Sequence, residues 1–206
     1  VASIPAIERG LIDGSFHVGI IPAHRTSQSL VYADLFAETM LLYCGARHPL
    51  FGQEHAALTW ESLRAYQFAG LGYHSPNMEL SHSTRLPRKA TGFDQESIAT
   101  LILSGRYLGF LPDHYAEAFE RQGRMQAVNP SLFHYHCQFV SLMRRSPAPA
   151  RAAQALRQNF ALSDAPGSGQ KIRFSGERVG LDVVQLVLQQ IRFHCHSSWL
   201  SVAVCS

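Results

Sequence analysis

The spacing of apolar positions changes character several times along the first part of the chain. Ile4, Ile7, Leu11 and Ile12 recur at the three-and-four spacing of one helix face. Ser3 stands at the N-cap position, Pro5 suits the first turn, and Gly14 ends the helix. Phe16 to Ile21 is then almost continuously apolar, a short strand closed by Pro22. Leu30 to Cys44 reads as two strand segments broken near Phe36 to Thr39, and His48-Pro49 stops it.

Further along, Thr59 caps a short helix that leads into a strand over Gln67 to Gly72. Tyr73 to Lys89 is polar and carries Pro76 and Pro87, which predicts a loop with about one helical turn. Asp94 caps a helix whose Ile98, Leu101 and Ile102 share a face and which Gly105 stops. Tyr107 to Pro112 is a buried strand, and Asp113 caps the next helix, with His114, Tyr115, Ala118 and Phe119 on one side. Met125 to Val128 and Cys137 to Met143 are two more strands, and Ser146-Pro147 opens a last helix through Ala152, Leu156 and Phe160. Alternating helices and apolar strands predict an α/β fold whose parallel strands are covered on both faces.

Composition narrows the class. At 46% hydrophobic and 16% charged, 206 residues make a folded globular chain, not a disordered one. No apolar run reaches the length of a membrane helix, and no secretory leader stands at the front. A net charge of +3 is too small and too scattered for a polyanion-binding face. Cys44, Cys137, Cys195 and Cys205 form no C-x-x-C pair, which fits free thiols in a reducing cytoplasm. Beyond Leu162, Ser163 to Gly169 is a turn-rich linker, and residues 163–206 read as an atypical tail, flexible or poorly folded.

Four pieces in order carry a family likeness: Leu11-Ile-Asp-Gly-Ser-Phe-His-Val-Gly-Ile-Ile21, a strand ending at His48-Pro49-Leu50, Ser97 to Pro112, and Phe139-Val-Ser-Leu-Met-Arg-Arg145. Over residues 1–162 the chain resembles the C-terminal effector-binding (substrate-binding) domain of LysR-type transcriptional regulators, truncated at its N-terminus. The resemblance implies a two-lobed periplasmic-binding-protein-like (type II) regulatory domain joined by two crossover strands. It places lobe I at about 1–43 plus 140–162 and lobe II at about 44–139. It also implies that the winged helix-turn-helix, the linker helix, and the first strand and helix of the regulatory domain are absent.

In such a fold a ligand lies at strand and helix ends, where unpaired N–H groups favour an anion. Ser3 offers a hydroxyl and the amides after it, with a plain N-cap as the competing explanation. His24 and Thr26 follow the end of the first strand. Ser75, Pro76, Asn77 and Met78 lie in the loop that the resemblance places at the cleft; a surface turn explains the same residues. Ser97 opens a helix that Asp94 caps, and Leu111 and Pro112 end a strand that offers an apolar wall or a carbonyl.

Other chemistry lacks support. His134-Tyr-His136 and His194-Cys-His196 put two imidazoles on a strand face without third or fourth metal ligands, so no metal is expected. Gly70-Leu-Gly72 is half of a dinucleotide loop, and no cofactor is expected. Arg85, Arg88 and Lys89 form the densest basic cluster, more simply a solvated loop. No nucleophile elbow or zinc-protease motif is present, so no enzyme activity is expected.

The resemblance therefore implies the sensing part of a bacterial regulator. Its partners would be a small effector, a carboxylate or other anion, and further copies in a homodimer or homotetramer. DNA would be reached only through the absent N-terminal domain. The competing readings are a free-standing solute-binding protein of a transporter and, behind it, an α/β hydrolase.

Overall fold

The computed structural model describes residues 3–72, 76–147 and 202–204. The described chain falls into two compact units. One holds the residues up to Ala37 and those from Gln138 on, the other Glu38–Cys137.

In the first unit the helix α1 (Ile4–Asp13) forms where the periodicity predicts it, with Ile4, Ile7 and Leu11 buried. Gly14 ends it in the left-handed region at φ 87°, a conformation that costs glycine little. The strand β1 (Val18–Pro22) is buried throughout and pairs antiparallel with β7 (His134–Arg144), Gly19 opposite Leu142. Gly19 is what lets α1 lie close on this sheet. A Cβ there would stand 2.5 Å from Ile7 Cγ2 and 3.1 Å from Leu142 Cδ2. On its other side β1 pairs antiparallel with β8 (Val202–Val204), Val18 opposite Val204. The rest of the predicted tail, and the helix predicted after Pro147, lie outside the described residues.

The second unit is built on three parallel strands. The strand β3 (Phe68–Leu71) pairs in parallel with β4 (Arg88–Gly92) and with β5 (Leu108–Pro112). Each is followed by a nine-residue helix: α2 (Pro76–Thr84), α3 (Gln95–Leu103) and α4 (Asp113–Arg121). The strand β2 (Leu30–Gly45) pairs antiparallel with β5, Met40 opposite Pro112, and β6 (Met125–Ala127) pairs antiparallel with β2. The core beside them is aromatic. Trp60 meets Phe133 edge-on at 4.8 Å between centroids, and Phe110 meets Tyr135 at 5.1 Å.

Four expectations are corrected. The sheet is mixed, because β2 runs antiparallel to β5 of the three βα units. The predicted break in β2 is absent: the polar stretch around Glu38 continues as strand where the chain leaves one unit for the other. Within the predicted loop, residues 76–84 form two and a half turns of helix, and residues 88–92 form a strand although they are largely polar. Asp113 is the first residue of α4, and the cap position before it belongs to Pro112.

Candidate functional site

Three βα units in parallel register bring the carboxyl ends of β3, β4 and β5 to one edge of the second unit. The N-termini of α2, α3 and α4 leave from that edge, and strand ends of this kind are the usual place for a ligand in α/β sheets. Of the sequence candidates, Pro76, Asn77 and Met78 form the first turn of α2, Ser97 lies in the first turn of α3, and Leu111 and Pro112 close β5. Ser75 lies outside the described residues, as do the side chains of Pro76, Asn77 and Met78.

The three helix starts differ in what they still offer. At α3 the Asp94 carboxylate already accepts the Ser97 N–H at 2.7 Å, so Ser97 has its hydroxyl left but not its amide. At α4 the Asp113 carboxylate accepts the His114 N–H at 2.6 Å. Leu111 is fully buried opposite Leu41, and Pro112 is buried opposite Met40. The helix α2 is the next element after β3 and opens with Pro76, which has no N–H to satisfy.

The remaining candidates belong to the first unit. Ser3 is the N-cap of α1, yet its hydroxyl makes no cap hydrogen bond; its carbonyl accepts from Ala6 and Ile7, both at 2.9 Å. Thr26 is exposed in the stretch after β1. His24, two residues before it, has its ring turned inward. The His24 side chain is 7% exposed, and Nε2 lies 3.3 Å from the Glu8 carboxylate on α1. Its other ring nitrogen, Nδ1, is buried without a hydrogen-bond partner.

Two acids in this picture gave no sign in the sequence. Glu8 is one. Beside it Tyr32 on β2 accepts the Ser27 N–H at 3.1 Å, and burial, opposed by that bond and reinforced by Glu8, pushes the Tyr32 phenol up. Glu38 is the other. Its side chain is 13% exposed, its Oε1 lies 3.8 Å from His114 Nε2, and its Oε2 is buried with no hydrogen-bond partner. Burial first, and Asp113 second, push this carboxyl up to about 7. The reach across β2, β5 and α4 that creates this environment is not visible as a sequence spacing.

His134 and His136 are exposed with ring centroids 5.9 Å apart, and no group of three or more metal-binding side chains stands among the described residues. Cys44 and Cys137 are buried free thiols, each pushed up to about 12 by burial. No helix among the described residues is long and apolar enough to cross a membrane.

Comparison with known proteins points one way. The chain is 29% identical over 157 residues to the HTH-type transcriptional activator BauR of Pseudomonas aeruginosa, covering 76% of this chain and 52% of that protein. It therefore spans about half the length of that relative. Among solved structures it is similar to the C-terminal domain of a probable LysR family transcriptional regulator from Rhodococcus sp. RHA1. The TM-score is 0.62 at 16% identity, with 78% of this chain and 81% of that one covered. It is similar too to the Synechocystis PCC6803 CcmR regulatory domain in complex with 2-PG, TM-score 0.62 at 14% identity, covering 79% and 81% of the two chains. At these identities the structural likenesses establish the periplasmic-binding-protein-like fold. The family model of the LysR substrate binding domain matches residues 2–162, and the chain belongs to that family.

Proposed function

We propose that this chain is the effector-sensing part of a bacterial LysR-type transcriptional regulator working in the cytoplasm, and that it takes a small carboxylate or similar anion. The observation that carries this reading is the edge of the second unit, where the starts of α2, α3 and α4 follow three parallel strands. In the second unit Asn77, Met78 and Ser97 are the ligand-binding candidates; in the first unit, taken by itself, they are Ser3, His24 and Thr26. The likeness to a transcriptional activator favours a regulator over a transporter's solute-binding protein or a hydrolase.

Sensing then works by population shift. A ligand that prefers one state of the domain changes how copies pair, as homodimer or homotetramer, and so how attached DNA-reading heads are spaced. One that binds both states equally changes nothing. Isothermal titration of the chain against a panel of small carboxylates tests the reading. Saturable heat from at least one compound, reduced by Asn77→Ala, is expected. No heat from any of them overturns it.

A further inference from the structure

His24 presents an unusual combination for a buried imidazole: one nitrogen against a carboxylate and the other against nothing. Nε2 lies 3.3 Å from Glu8 Oε1, while Nδ1 is sealed from solvent without a partner. Glu8 itself is only 13% exposed, so this contact is made largely away from water. A carboxylate can only accept, so the nitrogen facing it carries the proton. Tyr32 reinforces this arrangement. Its oxygen accepts from Ser27, which leaves its own proton to be given away, and Glu8 beside it is the acceptor at hand.

In the neutral ring only one nitrogen is protonated, so holding the proton at Nε2 makes Nδ1 a bare lone pair. A buried acceptor without a donor is a standing cost to the fold, and a group that supplies the donor removes it. The ring sits at the start of the irregular stretch after β1, whose next two residues, Arg25 and Thr26, are exposed. Arg25 is also the cation whose field reaches Tyr32.

We infer that Glu8 is a positioning residue that fixes His24 with its proton on Nε2, so that Nδ1 accepts a hydrogen bond from a hydroxyl or protonated amino group of the effector. This deepens the reading of the chain as a sensor of small acids and rests on it. The effector is then a hydroxy or amino acid, not an unsubstituted carboxylate, because only the former satisfies the buried nitrogen. A site built to accept from a substrate OH or NH discriminates strongly against the analogue that lacks it, since the acceptor is left unpaired.

Two probe sets isolate the group in question: propionate, lactate and alanine, and succinate, malate and aspartate. Within each set the skeleton is constant and one position bears hydrogen, hydroxyl or ammonium. Titration calorimetry on the 206-residue chain is expected to show the hydroxyl or ammonium member binding at least about ten-fold more tightly than the unsubstituted one. Long-range proton–nitrogen NMR is expected to show His24 protonated at Nε2 in the free chain, with the Nδ1 resonance moving when the ligand binds. Glu8→Gln, which can turn a donor toward the ring, is expected to mix the two tautomers and shrink the preference, and Glu8→Asp to retain part of it.

The two levels of the account fail separately. Equal binding within a set, or a His24 ring protonated at Nδ1 in the free chain, overturns the assignment to His24 and Glu8 and leaves the sensor reading standing. No binding of any of the six compounds overturns the assignment, while the sensor reading is decided by the wider carboxylate panel.

Discussion

Replacing Glu38 by Gln should make the protein more stable, and only in neutral or alkaline solution. The carboxyl is buried on β2, faces His114 at 3.8 Å and Asp113 beyond it, and leaves Oε2 unpartnered. Its ordinary value is 4.5, and burial holds it at about 7 in the folded chain. Below the first value it is protonated whether the chain is folded or not, and it contributes no penalty. Between the two the folded chain keeps a proton that the unfolded chain releases, so stability falls as pH rises. Above about 7 the full cost of an ionised buried group applies, on the order of 3 kcal/mol.

Gln has nearly the same shape and no charge, but its amide also needs partners. Leaving it partly unsatisfied returns about 1 kcal/mol or more of that gain. The expected net stabilisation is ~1–2 kcal/mol at about pH 8 and none, or a small loss, at about pH 4.5. Urea unfolding at a series of pH values, followed by midpoint and slope, reads this directly. A stability difference between wild type and variant that stays constant across the series would refute the reasoning, as would a variant less stable than wild type at alkaline pH.

Gly19→Ala should destabilise the first unit by about 1–3 kcal/mol, because the new methyl meets Ile7 at 2.5 Å and is backed by Leu142 and Leu11; unchanged thermal unfolding would show that the gap closes without strain. Asp94→Ala removes the cap on Ser97 and should cost about 1 kcal/mol, seen as faster amide exchange in the first turn of α3 with little change elsewhere. Cys44 and Cys137 should react with a thiol reagent only as fast as the fold opens, given their burial and raised values; fast labelling of either in native buffer would contradict this.

What could be read in the sequence was local and periodic. The helix α1 announces itself through Ile4, Ile7 and Leu11 and the glycine that ends it, and α3 through the aspartate that caps it. The helix α2 hides because Met78 and Leu80 are its only large apolar residues and do not form a stripe. The strand β4 is equally hard to see, since Arg88, Lys89 and Thr91 give it no apolar run; parallel pairing to β3 holds it. In β2 the polar Glu38 and Thr39 look like an interruption, yet the strand runs through them into its ladder with β5, Met40 opposite Pro112.

The candidate chemistry divides along the same line. His24 was visible from its place after β1, but its tie to Glu8 depends on α1 lying over that strand. Glu38 has no local signal at all, since its significance arises from the depth at which β2, β5 and α4 bury it. Ser97 shows the opposite limitation: the sequence marked the helix start, and the structure shows its amide already spent on Asp94.

The most direct test of the account as a whole is backbone hydrogen exchange, with and without a carboxylate that gives saturable heat. Slowed exchange is predicted in the first turn of α2 at Asn77 and Met78, with smaller changes at Ser97. Saturating ligand that leaves those amides unchanged while protecting some other part of the chain would contradict it.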